Sequence, residues 1–288
     1  MDSQGVVNTP KNIADIIVKT TLTPLFSDEK FTEWDSYRIA DICCGSGNFL
    51  LSAYEFIINR YIEYYMKNCL DMAIQKGLLI SDVGNNFKLS YEKKREILQN
   101  NIWGVDIDIL AVEVAKFSLL IKLIEDSSLY EMESFVKNNN CRILPSLDNN
   151  IKNGNSLVDE KYIEFNSNIL NDPEMVEKIK IFNWENEFEG EKFDAIVGNP
   201  PYIRVQNMVH FSENEYYKSE VSKYETAKSD LLDKYFLFME KGLQLLKPKG
   251  KMGYIIPHKF MLIKSGASLR KLLSEKKCVK QIIHFGTE

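Results

Sequence analysis

The tetrapeptide Asn199-Pro200-Pro201-Tyr202 combines the residue types best suited to chemistry in this chain of 288 residues. It follows the apolar run 193–198, which is typical of a buried strand, and two consecutive prolines end such a strand because they donate no ladder hydrogen bonds. Asn199 offers a side-chain carbonyl, Pro200 a backbone carbonyl and Tyr202 a flat aromatic face. Two acceptors beside a stacking ring suit a planar group with an exocyclic NH2. The alternative is a simple strand-ending turn, in which Asn and Pro are ordinary residues.

A glycine loop between a strand and a helix predicts a pocket for a nucleotide-like molecule. The strand is predicted over residues 37–44, the turn is Gly45-Ser46-Gly47, and the helix is predicted over 48–63 from its apolar periodicity. A loop this tight exposes backbone N–H groups at the start of a helix. The third glycine of the dinucleotide fingerprint is missing, which disfavours a hydride-transfer cofactor.

Two further strand ends carry polar residues that complete such a pocket. Asp106 follows a strand predicted over 101–105, where an acidic residue can accept both hydroxyls of a ribose. Asn155 lies at a third strand end, within residues 151–156, and is placed to contact an adenine edge. Because parallel strands end at one edge of a sheet, these residues and the tetrapeptide predict a single site there.

These motifs, in this order, resemble those of the gamma-class, TaqI-like N6-adenine DNA methyltransferases of type II restriction–modification systems. The resemblance covers nearly the whole chain. Residues 5–14 resemble the family's amino-terminal cofactor motif, 41–50 its glycine motif, 104–108 its ribose motif, 155–157 its adenine-contact position and 199–202 its catalytic motif. The resemblance implies S-adenosyl-methionine as the cofactor. It also implies the Rossmann-like α/β fold of methyltransferases that use this cofactor, a mostly parallel twisted sheet flanked by helices.

The resemblance assigns roles to individual residues. The catalytic residues that it implies are Asn199, Pro200, Pro201 and Tyr202. Their acceptors are expected to take the two N6 protons of an adenine flipped out of the duplex and stacked on the tyrosine. The cofactor-binding residues that it implies are Thr9, Pro10, Asp41, Cys43, Gly45, Gly47, Asp106, Ile107, Asn155, Ser156 and Asn199.

The length and the 44% hydrophobic content are consistent with one methyltransferase catalytic domain over residues 1–288. Within it we expect an amino-terminal cofactor motif and helix over 1–36 and a helical insert over 64–100. Residues 203–229 are polar, aromatic and basic, and we expect a mobile loop that closes over a bound base. The alternative for that loop is a disordered surface insert.

The carboxy-terminal part is predicted to contain a helix over 230–246 and strands over 252–257 and 282–285. Members of the family continue from such a strand to an aromatic residue that packs on the extruded base and then to a target-recognition domain. Since the sequence stops at Glu288, we expect both to be absent.

Charge is unevenly distributed along the chain. The net charge is −5, but residues 241–288 contain eleven Lys or Arg and two acidic residues, a net of +9, and residues 1–240 carry −14. An acidic body is a poor surface for duplex DNA, so the basic segment is a candidate edge of a DNA groove, or else a solvated helix face. Its main basic residues are Lys247, Lys249, Lys251, Lys259, Lys264, Arg270 and Lys271.

Several other kinds of site are disfavoured by composition. The five cysteines are odd in number and lack a Cys-x-x-Cys pair, so neither a disulfide framework nor a metal site is predicted. Cys43 and Cys44 are expected to line a cleft rather than act as nucleophiles. No apolar run approaches the ~18 residues of a membrane span and no signal peptide opens the chain, so we expect a cytoplasmic protein without a membrane partner.

Three functions remain open from the sequence. The first is a site-specific adenine methyltransferase acting on double-stranded DNA, with a target-recognition domain or specificity subunit and a nuclease partner on missing sequence or another chain. The second is a methyltransferase of the same fold acting on a protein glutamine or an rRNA guanine amino group, which Thr9-Pro10 disfavours. The third is a non-catalytic cofactor-binding partner of a specificity subunit or nuclease, which the intact tetrapeptide disfavours.

Overall fold

The computed structural model describes residues 9–81, 86–203, 211–228 and 232–286. Residues 5–8 of the predicted amino-terminal motif, and residues 204–210 and 229 of the predicted loop, therefore lie outside the described residues. The strands are β1 (Ile39–Asp41), β2 (Leu79–Ser81), β3 (Phe87–Leu89), β4 (Ile102–Asp106), β5 (Ile151–Asn153), β6 (Phe193–Gly198) and β7 (Leu246–Tyr254).

The α-helices differ widely in length. They are α1 (Lys11–Leu22), α2 (Asn48–Asn68), α3 (Leu70–Gln75), α4 (Tyr91–Asn101), α5 (Ile109–Ile124), α6 (Leu129–Asn139), α7 (Lys161–Phe165), α8 (Pro173–Ile179), α9 (Trp184–Glu187), α10 (Phe211–Lys218), α11 (Lys234–Leu245) and α12 (Ala267–Glu275). Short 3-10 helices cover Asp28–Ser36, Ser167–Asn171, Thr226–Lys228, His258–Met261 and Lys264–Gly266. No helix within the described ranges is long and apolar enough to cross a membrane.

Five strands form one parallel sheet in the order β5-β4-β1-β6-β7, and β2 pairs with β3 in a separate antiparallel hairpin. The chain builds outwards from β1 to β5 and then returns to β6 on the other side of β1. Between β1 and β6 the strand order therefore reverses, and such a switch point opens a crevice at the carboxyl ends of the strands. The predicted α/β class with a mostly parallel sheet flanked by helices is confirmed.

Apolar side chains on both faces of the strands explain why helices cover the sheet on both sides. Ile39, Ala195 and Val197 belong to a core shared with α1, α2, α4 and α5. The alternate residues, including Ala40 and Ile196, belong to a second core shared with α11 and α12. The central strands are thus buried on both sides, and only their ends are available to a ligand.

Helix α1 packs closely on the sheet because β7 has a glycine beneath it. A Cβ added to Gly253 would lie 1.9 Å from Thr21 Oγ1 of α1. Helix α1 also packs against α2, where Lys11 Nζ pairs with Glu55 Oε2 at 2.8 Å. This packing places Thr9 and Pro10, which directly precede α1, at the carboxyl edge of the sheet.

The extra helices predicted over 64–100 are present as the end of α2, α3 and α4, with the unpredicted β2–β3 hairpin between them. The helix predicted over 230–246 is α11, which begins only at Lys234. The strand predicted over 37–44 is β1, which covers only Ile39–Asp41 because the chain turns after Asp41 into the glycine loop. The strand predicted over 252–257 is β7, which begins and ends earlier, at Leu246 and Tyr254.

The strand predicted over 282–285 is wrong. Ile282, Ile283 and Phe285 are 60%, 51% and 67% exposed, and the segment pairs with none of the described strands. An apolar run is compatible with a strand, but a strand also needs a hydrogen-bonding neighbour and a surface to pack against. This segment has no hydrogen-bonding neighbour among the described strands, and its largest apolar side chains stay exposed.

Candidate active site

The predicted catalytic tetrapeptide lies directly after β6, at the carboxyl edge of the sheet. Strand β6 ends at Gly198, as the prolines predict, and its last carbonyl accepts a hydrogen bond from Ile255 N at 3.2 Å. The chain then leaves the sheet with Asn199 half-buried and Pro200 buried. The rigid Pro-Pro step therefore holds the two predicted acceptors at the switch point of the sheet.

Asn199 is oriented by a residue from the other end of the chain. Its Nδ2 donates to Thr9 Oγ1 at 2.9 Å, and Thr9 is buried. Pro10 follows and closes the first turn of α1, since Ile13 N donates to Pro10 O at 3.0 Å. The predicted cofactor motif and the predicted catalytic motif thus meet directly.

Tyr202 is fixed beside the acceptor oxygen of Asn199. Its hydroxyl lies within hydrogen-bonding distance of Asn199 Oδ1 and of Ile255 O, the latter at 2.9 Å. Its ring meets the ring of Tyr235 edge to face, with centroids 6.1 Å apart. Burial raises the pKa of Tyr202 to about 12, so the hydroxyl stays protonated and has one proton to share between two acceptors.

Asp41, at the end of β1, supports the backbone that carries Asn199. A Cβ added to Gly198 would lie 2.6 Å from Asp41 Oδ1, so only glycine permits this approach. Asp41 Oδ1 also accepts a hydrogen bond from Cys43 N at 3.0 Å. The carboxyl group is buried, and burial raises the pKa of Asp41 to about 7. Asp41 therefore contacts both loops that border the crevice.

The glycine loop and the ribose motif are joined by hydrogen bonds. Gly45 and Gly47 have φ angles of +51° and +90°, which favour glycine. Gly45 N donates to Asp106 Oδ2 at 2.8 Å, and Asp108 N donates to Asp106 Oδ1 at 2.9 Å. A carboxylate accepts about four hydrogen bonds, so Asp106 retains capacity for two further donors. Burial raises the pKa of Asp106, and these N–H groups oppose that effect.

Asn155 and Ser156 are buried, and protein groups occupy their polar atoms. Asn155 Nδ2 donates to Glu213 Oε1 at 3.0 Å, and its Oδ1 accepts from Leu157 N at 3.1 Å. Ser156 Oγ donates to Ile42 O at 2.5 Å. The predicted adenine contact of Asn155 stays a prediction. Glu213 was missed from the sequence because no local pattern signals a partner 58 residues away.

The remaining predicted cofactor residues border the same edge. Ile107 follows Asp106 and is 41% exposed, and Pro10 is also exposed. Cys43 is half-buried next to Asp41. Burial raises the pKa values of the Cys43 and Cys44 thiols well above their usual range, which is unfavourable for a nucleophile.

The described part of the predicted mobile loop is packed into the core. Tyr216, Tyr217 and Tyr224 are buried there. Glu240 of α11 accepts hydrogen bonds from Glu225 N at 2.9 Å and from Thr226 N at 2.8 Å. Movement of this segment over a base stays a prediction.

The predicted basic edge is divided between two ends of the sheet. Lys247 and Lys249 lie in the first part of β7, which runs parallel to β6, so they lie towards the edge opposite Asn199. Lys251 is paired with Ala195, three residues before the end of β6. Lys247 and Lys249 do not border the crevice, because the direction of β7 carries them away from it.

The other basic residues follow β7, beyond the end of that strand. Lys259 Nζ pairs with Asp233 Oδ2 at 3.1 Å, and Arg270 donates to Ile263 O at 2.8 Å. Lys264 and Lys271 are exposed. Lys271 Nζ lies 3.7 Å from Glu275 Oε1. Contact of Lys264 and Lys271 with DNA stays a prediction.

The family model described as Eco57I restriction-modification methylase matches residues 100–288. The chain is 37% identical over 288 residues to the type II restriction enzyme and methyltransferase RM.Eco57I of Escherichia coli, covering 99% of this chain and 26% of that protein. It is 27% identical to the type II methyltransferase M.HincII of Haemophilus influenzae, with coverages of 54% and 31%. It is 26% identical to the adenine-specific methyltransferase PglX of Streptomyces coelicolor, with coverages of 70% and 15%.

Solved structures show the same fold. The type IIL restriction-modification enzyme MmeI in complex with DNA has a TM-score of 0.60 at 15% identity, covering 96% of this chain and 34% of that one. The DrdV–DNA complex has a TM-score of 0.54 at 17% identity, covering 94% of this chain and 22% of that one.

The chain spans between 26% and 31% of the length of the first curated relatives that it matches. The resemblance to restriction–modification methyltransferases drawn from its motifs is confirmed by these relatives. Since the family model matches about two thirds of the chain, this protein belongs to the Eco57I restriction-modification methylase family.

Proposed function

We propose that this chain transfers a methyl group from S-adenosyl-methionine to N6 of a flipped-out adenine in double-stranded DNA, as part of a restriction–modification system. The observation that carries the proposal is the position of Asn199 Oδ1, which lies within hydrogen-bonding distance of the Tyr202 hydroxyl at the edge that also holds Gly45 and Asp106. This arrangement supports an amino acceptor, a stacking ring and a nucleoside pocket at one switch point of the sheet.

The pocket residues fit S-adenosyl-methionine. Within the part of the chain that the structure describes, no atom outside the loop lies within 4 Å of the position where a Cβ of Gly45 would be, so the loop leaves open space above its backbone. Asp106 has capacity for the two hydroxyls of a ribose. In their ionised form, the carboxyl groups of Asp41 and Asp106 favour a cationic molecule. Thr9, Cys43 and Ile107 complete the set of residues that would hold the cofactor, which supplies a methyl group on an electrophilic sulfonium.

The chain's own residues would position and polarise the amino nitrogen. The lone pair of N6 is delocalised into the adenine ring, which makes it a feeble nucleophile. Asn199 Oδ1 and the Pro200 carbonyl accept hydrogen bonds from its two N–H groups and favour tetrahedral geometry at nitrogen. After methyl transfer, one of these protons leaves to water. The hydroxyl of Tyr202 can then donate to Ile255 O alone, which it already approaches. Orientation of this kind contributes ~7–11 kcal/mol to lowering a barrier, and no covalent enzyme intermediate is needed.

N6 is paired inside a duplex, so the adenine must leave the helix before it can react. Extrusion costs a few kcal/mol, and stacking on Tyr202 offsets part of that cost. Because the match covers only 26% of RM.Eco57I and 31% of M.HincII, we assign target recognition to further polypeptide or a separate specificity subunit. The name of RM.Eco57I joins a restriction enzyme to a methyltransferase, which supports a nuclease partner here. A DNA substrate also supports a cytoplasmic location.

The experiment is transfer of tritium from labelled S-adenosyl-methionine to duplex DNA, followed by mapping of N6-methyladenine. We expect label at N6 in wild-type reactions. With Asn199→Ala we expect a loss of at least ~100-fold, the scale for removing one preorganised electrostatic contact, with cofactor affinity nearly unchanged. Label in an rRNA or protein substrate, with none in DNA, would instead support the hypothesis of a methyltransferase that acts on a protein glutamine or an rRNA guanine amino group. Activity of Asn199→Ala within a few-fold of wild type would remove the catalytic role.

A further inference from the structure

Helix α5 is apolar on the side that faces the core and on the side that faces solvent. Its inner residues Val112, Ala115, Leu119 and Leu123 are at most 1% exposed. A helix that is apolar all round is normally buried on all sides. The solvent-facing residues, which we call the outer seam, are Leu110 at 73% exposure, Val114 at 50%, Phe117 at 65%, Ile121 at 48% and Ile124 at 36%.

The spacing of the outer seam is that of a helix–helix contact. Its members follow one another at intervals of four, three, four and three residues along α5. This is the a/d pattern of a heptad, in which each apolar side chain enters a hole on a facing helix. A flat or irregular partner would not require this period, so the occupant that fits the outer seam is an α-helix.

We propose that the outer seam joins two copies of this chain through an antiparallel pair of α5 helices, with Phe117 at the two-fold axis. The two ends of the seam are equidistant from that residue, since Leu110 and Ile124 each lie seven residues from it, whereas Val114 lies three residues before it and Ile121 four residues after it. An isologous contact requires a self-complementary patch, and this nearly even spacing about Phe117 provides one. Rotation about this axis places Leu110 of one copy beside Ile124 of the second copy.

Charges beside the outer seam are compatible with this arrangement. In the antiparallel pair, Glu113 of one copy faces the helical turn that carries Lys122 of the second copy. Within its own chain Glu113 pairs with Lys116, and Lys122 pairs with Glu55 and Glu125, so a contact between the copies would add to these pairs. Opposite charges flanking an apolar seam favour one orientation of the two helices. Leu144 and Pro145 line a groove next to Phe117, which widens the apolar surface on one side of α5.

The exposed area supports a weak dimer. At its stated exposures, the outer seam offers on the order of 500 Å² per copy, within the range of patches that are often functional. Two copies then bury about 1,000 Å², the lower limit for a specific interface. Asp108, which caps α5, lies nine residues before Phe117, and at 1.5 Å per residue the two caps would lie roughly 27 Å apart. The two cofactor pockets would therefore sit at opposite ends of the helix pair.

Sedimentation velocity over about 5 to about 500 µM protein tests the proposal without depending on methyl transfer. We expect the apparent mass to rise from 33.4 kDa towards twice that value. Phe117→Glu and Val114→Glu, which alter exposed positions, should each keep the protein monomeric over this range. The matched control is Leu170→Glu, because Leu170 is 63% exposed away from α5, and it should behave like wild type.

Disulfide cross-linking tests the axis itself. Phe117→Cys in a Cys278→Ser background, which removes the exposed native thiol, should form a covalent dimer on mild oxidation. Leu170→Cys in the same background should not. A wild-type protein that stays monomeric over the whole concentration range would overturn the proposal. The outer seam would then be expected to bind a helix of another polypeptide. A dimer that survives Phe117→Glu, or that fails to cross-link through residue 117, would equally overturn it.

Discussion

Asn199 Nδ2 donates to Thr9 Oγ1 at 2.9 Å, so a residue at the start of α1 orients the amide that follows β6. The hydroxyl of Tyr202 approaches the opposite end of the same amide, at Oδ1. An asparagine amide has two orientations that differ only in which end is the acceptor. The two hydroxyl groups together hold the amide with its oxygen towards the tyrosine, where the substrate amino group is proposed to bind.

Replacing Thr9 should therefore affect catalysis through Asn199. Thr9→Val keeps the shape of the side chain but removes the acceptor for Nδ2, and Thr9→Ser keeps that acceptor. Loss of one hydrogen bond costs about 1 kcal/mol, so we expect methyl transfer to fall roughly 5- to 10-fold in the valine variant and to remain near wild type in the serine variant. Single-turnover rates at saturating cofactor measure this effect. Equal rates for the two variants would show that Thr9 does not orient Asn199.

Asp106→Ala should weaken binding of S-adenosyl-methionine. The variant removes the charged acceptor proposed for the ribose and also releases Gly45 N, which now donates to Asp106 Oδ2. Hydrogen bonds to charged groups contribute about 1.5–3 kcal/mol, and we expect a loss of that size in isothermal titration calorimetry. Asp148→Ala is the control, because Asp148 is exposed and pairs with Lys116 on the surface. Unchanged affinity in a folded Asp106→Ala protein would exclude the ribose assignment.

Asp41 should make stability depend on pH. Burial raises its pKa from 3.8 to about 7, so the native state holds this proton more tightly than the unfolded state does. The free energy of unfolding should therefore fall as pH rises between about 4 and 7. The Asp41→Asn side chain has no proton to lose. As pH rises through that window, the free energy of unfolding of this variant should therefore increase relative to that of wild type, by up to about 4 kcal/mol for a shift of this size. Urea denaturation of both proteins at pH 5 and pH 8 measures the change, and a difference independent of pH would contradict it.

DNA binding by this chain alone should be weak and indifferent to sequence. The body is acidic, and phosphate contacts give affinity without specificity. We expect a dissociation constant of ~10⁻⁴–10⁻⁶ M with a steep salt dependence, measured by fluorescence anisotropy on random and candidate duplexes. Lys264→Glu should weaken binding more than Lys249→Glu, because Lys249 lies in β7 at the far edge of the sheet. One duplex bound near ~10⁻⁸ M, with the others far weaker, would place a recognition surface within these residues.

Some features could be predicted from the sequence alone because they depend only on residues that are neighbours in the chain. Strand β6 has the predicted bounds, Phe193–Gly198, because an apolar run followed by two prolines has few alternatives. The glycine loop after β1 and the carboxylate at Asp106 were likewise predictable, since tight turns and helix starts depend on neighbouring residues. Parallel strands then bring their carboxyl ends together, which predicted one site from separate motifs.

Long-range packing decided what the sequence left open. Thr9 and Asn199 meet because Gly253 lets α1 lie close to the sheet, and no local pattern reports contacts across such separations. The same limit applies to Asn155, whose amide donates to Glu213 of α10. The exposed run 282–285 did not become a strand because a strand also needs a neighbour. Periodicity and turn residues thus determined the elements and their chemistry, whereas strand direction and helix packing, which depend on distant residues, decided which side chains face one another.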